Sequence, residues 1–320
     1  METRKIGTLT VSLVGLGCNN IGTFIDAAQT DRVVHAALDA GVSLFDTADV
    51  YGKGASEELL GTALGRRRDE AIIATKFGHE LDEDRQGAHP DYVPQACDAS
   101  LRRLGVDHID LYQLHRPDPA VPIAETLGAL GELVQAGKIR ELGHSNLSAA
   151  EMNEAQAVGA ENGGPRFACA QDHWNLLERD LEGERLTAIR RNGLALLPYF
   201  PLASGLLTGK YQVGEEPDAD WRLAKLPGDR REQQLTEERL RTVDELTAFA
   251  AARDRTILEL AMSWLAGHPS VASVIAGATR PEQVEANAAA AGWRLTAEDR
   301  AEIDRITGSG QDEGDAEDDR

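Results

Sequence analysis

The sequence predicts an α/β fold, a (β/α)8 or TIM barrel, with a short N-terminal hairpin before it and a disordered acidic C-terminal tail after it. Three observations carry this expectation. Short apolar runs rich in Ile, Leu and Val alternate with helical stretches, and repeated β–α alternation implies a parallel sheet with helices outside it. The runs number eight, which favours closure into a barrel. No G-x-G-x-x-G turn follows the first run: Gly15 and Gly17 stand there, but the next glycine, Gly22, falls two places late for an open dinucleotide-binding sheet. A chain of 320 residues could hold two domains of about 150 residues. It fits equally one barrel of roughly 250 residues with insertions.

The elements follow in order. Residues 4–11 read as the hairpin and 13–17 as the first barrel strand. A helix over 31–40 is closed by Gly41, the usual stop residue. A strand at 42–45 leads to a helix at 55–64, and a strand at 71–75 to a helix at 92–104 closed by Gly105. The strand at 108–114 precedes a helix at 123–136, closed by Gly137. The strand at 139–143 precedes a helix at 149–158, and the strand at 167–170 a helix at 181–191. After the strand at 194–197 come helices around 236–252 and 257–266, then the last strand at 271–275 and the last helix at 281–291. Residues 211–235 hold Gly214, Pro217, Pro227 and Gly228, many charges and little periodicity. A loop of that length is commonly functional, so it reads either as a lid over a site at the strand ends or as a surface excursion.

The barrel domain is expected over residues 1–307. Residues 308–320 carry six acids, one arginine and no large apolar side chain, a composition that cannot order itself by burial. The formal charge of the whole chain is −21. Such a balance argues against nucleic acid, whose phosphates need clustered Lys and Arg, and against anionic membranes. The three cysteines, Cys18, Cys97 and Cys169, form no C-x-x-C pair, and no His/Cys/Asp cluster has metal-ligand spacing. With no apolar leader and no long apolar span, the expectation is a cytoplasmic protein in a reducing compartment. No motif specifies an oligomeric state.

Four chemically matched residues stand at the ends of consecutive apolar runs: Asp46 and Tyr51, then Lys76, then His115. In a (β/α)8 barrel the carboxyl ends of the strands form the active-site face, so these four would converge. Tyrosine alone, with a pKa near ~10, is a weak proton donor at neutral pH. A lysine ammonium nearby favours phenolate and lowers that pKa. An aspartate would hold the lysine charged, and a neutral histidine can orient a carbonyl oxygen. The set suits carbonyl reduction.

The motifs F-D-T-A-D-V-Y-G at 45–52, I-A-T-K-F-G at 73–78, L-Y-Q-L-H-R-P-D at 111–118, I-R-E-L-G-H-S-N at 139–146, Q-D-H-W-N-L-L-E-R at 171–179, P-L-A-S-G-L-L-T-G-K-Y at 201–211 and A-T-R-P-E-Q-V-E-A-N at 278–287 give the chain a resemblance to the aldo-keto reductase family over about residues 4–306. That resemblance implies Tyr51 as proton donor, Lys76 and Asp46 tuning it, and His115 orienting the substrate carbonyl. It implies a nicotinamide cofactor, NADP(H), with NAD(H) possible. Ser145, Asn146 and Gln171 would bond the carboxamide and Tyr199 would stack on the ring. The loop from Leu202 through Gly205 would cradle the pyrophosphate. Arg280 would meet a 2′-phosphate, and Gln283 and Asn287 the adenine. The implied substrate is a small carbonyl or alcohol compound. Phe200, Trp174 and Ala286 depart from residues common in the family. Asn19 or Asn20 is expected to touch substrate, and Trp221 and Val50 to wall the pocket. Two other readings stay open: a redox-sensing regulatory protein resembling potassium-channel β subunits, and an NAD-dependent sugar or polyol dehydrogenase.

Overall fold

The structure, a computed structural model, describes residues 1–82, 85–161, 164–212, 214–219, 221–225 and 227–308. The expected disordered tail lies outside the described residues apart from Gly308. Strands β1 (Thr3–Ile6) and β2 (Leu9–Ser12) pair antiparallel as the hairpin. Eight parallel strands then close into a barrel: β3 (Val14–Gly17), β4 (Leu44–Asp46), β5 (Ile72–Phe77), β6 (Ile109–Leu114), β7 (Ile139–Ser145), β8 (Cys169–His173), β9 (Ala195–Tyr199) and β10 (Val274–Gly277), which returns beside β3.

The helices are α1 (Ala27–Asp39), α2 (Ala55–Leu64), α3 (Val93–Leu104), α4 (Ile123–Gln135), α5 (Ala149–Glu161), α6 (Glu184–Arg191), α7 (Gly228–Gln234), α8 (Glu237–Ala251), α9 (Ile257–Ala266), α10 (Pro281–Ala289) and α11 (Ala297–Thr307). Helix α1 begins earlier than its apolar spacing predicts, because Asp26 caps it, accepting from the Gln29 N–H at 2.8 Å. Helices α7 and α11 were not expected. The second has a legible signature: Thr296 and Asp299 form a reciprocal capping box ahead of it.

Strand limits show a consistent slip. The expectation stops β5 at 75, β7 at 143, β8 at 170 and β9 at 197, whereas each continues two or three residues further. The apolar pattern ends where polar residues begin, but the ladder carries on through Lys76, Ser145, Gln171 and Tyr199. The last strand, expected at 271–275, also ends two residues further on and starts later: Val271 makes only an isolated bridge to Leu196, and the paired strand runs Val274–Gly277.

Two cores result. Outside the strands, Phe45, Ile73 and Tyr112 pack against helix residues such as Val34, Leu60 and Leu101. Inside, Leu44, Ala74, Leu111, Cys169 and Leu197 form one cluster with Ile6, Leu9 and Val11 of the hairpin. The hairpin thus stoppers the barrel, and the Glu141 carboxylate on β7 accepts from the N–H and hydroxyl of Thr8 at its turn, 2.7 and 2.6 Å. The opposite, carboxyl end is left for a site. The three cysteines are free and buried.

Candidate active site

Parallel register sets the floor of the site. Asp46 pairs with Gly17 and Ala74, Lys76 with Gln113, and Ser145 with Gln171. Lys76 is fully buried. A buried ammonium is costly unless paired and hydrogen-bonded. Here Nζ donates to Asp46 Oδ2 at 2.7 Å and to the Thr47 carbonyl at 2.8 Å. Burial opposes its charge, yet Asp46 and then Tyr51 outweigh that and hold the lysine above its ordinary pKa. The other carboxylate oxygen of Asp46 accepts from Gln171 Nε2 at 2.8 Å and from Gln113 Nε2 at 3.3 Å.

Tyr51 follows β4 in a one-turn 3₁₀ segment in which Gly52 and Lys53 both have φ near 57°. The Lys76 ammonium lies 5.1 Å from its ring centroid. Burial raises the phenol's pKa above the ordinary value, while the charge of Lys76 and a hydrogen bond from it pull the other way. This corrects the expectation of a net lowering: in the free site the lysine limits a rise that burial causes. His115, the first residue after β6, donates its N–H to Phe77 O at 2.8 Å. Its ring meets Tyr51 edge-on at 5.8 Å and His79 at 4.3 Å. Burial first, then Lys76, push its pKa down to about 2, so the imidazole is neutral across the working range. Its Nδ1 is buried with no partner among the described residues.

A hydrogen-bonded run continues from this group. Gln171 accepts, through its carbonyl, from Ser145 Oγ at 2.7 Å. Ser145 Oγ accepts from Asn146 Nδ2 at 2.8 Å, which also reaches the His115 carbonyl at 3.2 Å. Asn146, itself at φ 63°, accepts from the Tyr199 hydroxyl at 2.9 Å. Tyr199 stacks on His173 with centroids 5.2 Å apart and planes 7° apart.

Beyond Tyr199 the chain adopts left-handed conformations at Phe200, Ala203, Ser204 and Gly205, with φ of 52, 45, 57 and 100°. Non-glycine residues held there store strain, which is common at ligand clamps. Successive turns of this kind aim backbone N–H groups into an anion-binding concavity. Leu202 leads into this turn. A Cβ added at Gly205 would stand 3.2–3.3 Å from the end of Lys210. Burial, then the neighbouring Arg280, lowers the Lys210 pKa. Arg280 is the N-cap residue of α10 and makes no capping bond. Two cations thus line the same cavity beside a helix N-terminus, which suits a multiply charged anion. Gln283 accepts from the N–H and hydroxyl of Thr279 at 2.8 and 3.1 Å, and Asn287 is buried one turn on.

Of the site residues expected from sequence, all open onto one cavity of ≈ 940 Å³ except Lys76, which lies buried beneath it. Asn19 and Asn20 line it; Trp221 forms part of its wall as expected, and Val50 does not. Trp174 is core, packed on Trp264 at 4.9 Å and bonded to Glu182. Residues 211–235 reach the cavity through Asp218, Trp221, Arg222 and Lys225, with α7 forming part of the remainder. The sequence reading missed Phe24, His79, Gln113 and Arg222. His79 carries a signal, three residues past Lys76 at the same strand end. Gln113 alternates inward with Leu111. The other two lie in loops without one.

Among the described residues no group of three or more His, Cys, Asp or Glu could hold a metal ion. No described helix is long and apolar enough to cross a membrane. Comparison with known proteins matches residues 13–307 to the model of the aldo/keto reductase family. The chain is 35% identical over 304 residues to the aldo-keto reductase YhdN of Bacillus subtilis (strain 168), covering 92% of this chain and 89% of that protein. It superimposes on the glycerol dehydrogenase AKR11B4 from Gluconobacter oxydans with a TM-score of 0.81 and 33% identity, over 95% of this chain and 94% of that one.

Proposed function

The chain belongs to the aldo/keto reductase family, and from that premise we propose that it is an NADP(H)-dependent oxidoreductase interconverting aldehydes or ketones with alcohols. The observation that carries the reading is the unbroken run Tyr199–Asn146–Ser145–Gln171–Asp46–Lys76, which ends under Tyr51 and floors a cavity that continues to Arg280.

The residues fit the cofactor. Asn146 and Gln171 offer amide groups to a carboxamide. The left-handed turn at 203–205 shapes a concavity for a pyrophosphate, with the Ala203 and Gly205 N–H groups donating to the Phe200 and Leu202 carbonyls to hold it. Lys210 and Arg280 repel one another until an anion lies between them. When bound, a nicotinamide supplies or accepts the hydride at the carbonyl carbon. Tyr51 delivers the proton to the carbonyl oxygen, and in the reverse direction removes it. Lys76, fixed by Asp46, stabilises the phenolate left behind. His115, held neutral, donates a hydrogen bond that orients the oxygen.

The test is a screen of NADPH and NADH consumption over aldehydes, ketones and reducing sugars, run with wild type and Tyr51→Phe. Positioned acid catalysis is worth roughly 10²–10⁴ in rate, so Tyr51→Phe should lose that much kcat while still binding NADPH. Near-wild-type turnover by this variant would remove Tyr51 from the chemistry.

A further inference from the structure

The hairpin end of the barrel, opposite the cavity, gathers cations from three separate elements. Arg4 lies on β1, Arg190 in the last turn of α6 and Arg300 near the start of α11. All three reach the turn that joins α9 to β10. Arg4 Nη1 donates to the His268 and Val271 carbonyls, at 3.3 and 2.5 Å. Arg190 Nη2 lies 2.7 Å from His268 Nε2. The Arg300 guanidinium rests against Gly267, the residue before His268, where an added Cβ would collide with its Nη2. None of these residues is among those lining the cavity.

The grouping is electrostatically costly, because like charges repel and the repulsion grows where burial lowers the dielectric. Arg4 has a partner in Glu2 at 3.0 Å. Arg190 and Arg300 form no ion pair among the described residues, whereas Arg103 and Arg179 sit on carboxylates. Arg190 instead meets a ring nitrogen, while the Ser270 N–H points at the other, Nδ1, at 3.3 Å. Burial first, then Arg190, Arg300 and Arg4, push the His268 pKa down to about 4, so the imidazole is neutral at pH 7. A ring nitrogen and backbone carbonyls therefore hold these arginines in place without neutralising them. In a chain of net charge −21 this leaves a local excess of positive charge. Each guanidinium is a planar fork of N–H donors, and the forks arrive from different directions.

We propose that Arg4, Arg190 and Arg300, gathered around His268, form a binding site for a phosphate-type oxyanion, free or carried as a monoester, separate from the catalytic cavity. A dianion offsets more of the converging positive charge than a carboxylate does. Its oxygens point several ways, and forks from β1, α6 and α11 can each meet one. The bound ion ties the hairpin and α11 to the turn before β10, so it stabilises the folded chain by mass action. The inference does not depend on the activity proposed above.

The test titrates inorganic phosphate into the full chain in about 0.15 M chloride, a salt level that screens weak surface attraction. Calorimetry and tryptophan fluorescence follow it; Trp174 meets the His268 ring edge-on at 5.1 Å and is the local reporter. Arg280→Ala runs in parallel, because the cavity also holds cations. Binding should be saturable, raise Tm and survive Arg280→Ala. Arg190→Gln and Arg300→Gln should each weaken it by about 10–100-fold, the range for a hydrogen bond to a charged group. Arg300→Lys should restore part of the loss. Arg190 is exposed, so its variant tests the site even if Arg300→Gln perturbs α11. Absence of saturable binding overturns the proposal, as does binding that both Gln variants keep. Loss in Arg280→Ala places the ion in the cavity and also overturns it. Acetate binding as tightly as phosphate overturns the assignment to a dianion. Tighter binding of glycerol 3-phosphate than of phosphate supports an esterified ligand, and the reverse order supports the free ion.

Discussion

Lys76 and the burial of Tyr51 act on the phenol in opposite senses. Burial raises the tyrosine pKa, and Lys76 counters it by charge and hydrogen bonding. Lys76→Met should therefore let the pKa climb. In the proposed reduction a protonated tyrosine is the donor, so the alkaline limb of the kcat–pH profile should move to higher pH as the rate drops. A variant that kept both the rate and the limb would break the proposed coupling. Asp49, two residues before Tyr51, makes a separate prediction. It is buried, both its carboxylate oxygens lack a hydrogen-bond partner among the described residues, and burial, then Glu57, push its pKa up to about 7. An acid with a raised folded pKa binds its proton more tightly when folded. Its contribution is fully present below its unfolded pKa near ~4 and is lost as pH rises through the folded value. Asp49→Asn, which cannot ionise, should gain on wild type between pH 5 and pH 8 by an amount on the order of a few kcal/mol. Urea unfolding at both pH values measures it; a gap that stays constant with pH would clear Asp49 of the role. None of this was legible in sequence, because the surroundings of Asp49 include Glu57 and Arg103 from other elements, which pair with each other and not with it.

Elements carry the site because strand ends bring together side chains far apart in the chain. That much is readable: Asp46, Lys76 and His115 each close an apolar run, and the barrel delivers them to one floor. The strand limits were not readable, since hydrophobicity stops at Lys76 and Gln171 while backbone pairing continues. Gly143 shows a second hidden dependence. A Cβ there would stand 2.6 Å from Cys169 Sγ and 2.9 Å from Gln113 Cγ, so this glycine on β7 admits the glutamine that donates to Asp46. Helix α10 supplies the prediction at this scale. If Arg280 at its start meets a 2′-phosphate, a hydrogen bond to a charged group is worth about 1.5–3 kcal/mol. Each ~1.4 kcal/mol is a factor of ten. Arg280→Ala should thus weaken NADPH binding about 10–100-fold and leave NADH nearly as it was. Fluorescence titration of both cofactors checks this; an equal loss for both would mean that Arg280 holds something other than the phosphate.

At the scale of the whole molecule the local and global charges conflict. The chain carries a formal −21, yet the cavity lining sets Lys210, Arg222, Lys225 and Arg280 against two acids, Asp46 and Asp218. The proposed polyanionic cofactor, approaching from afar, would meet repulsion before it met these cations. The two effects have different ranges. The screening length is about 30 Å at 0.01 M salt and about 10 Å at 0.1 M, so long-range repulsion is screened first, and contacts inside a partly enclosed cavity are screened much less. Association of NADPH should therefore accelerate as salt rises from about 0.01 to 0.1 M, the opposite of what attraction by a positively charged protein would give. At still higher salt the partly exposed contact at Arg280 weakens too, and the preference for NADPH over NADH should fall. Stopped-flow fluorescence separates the phases by giving the association and dissociation rates for both cofactors at each salt concentration. An association rate that falls monotonically with salt would mean that the cationic lining, not the net charge, governs the approach. NADH, lacking the 2′-phosphate, should show the same trend with a shallower slope, because fewer charges feel the repulsion.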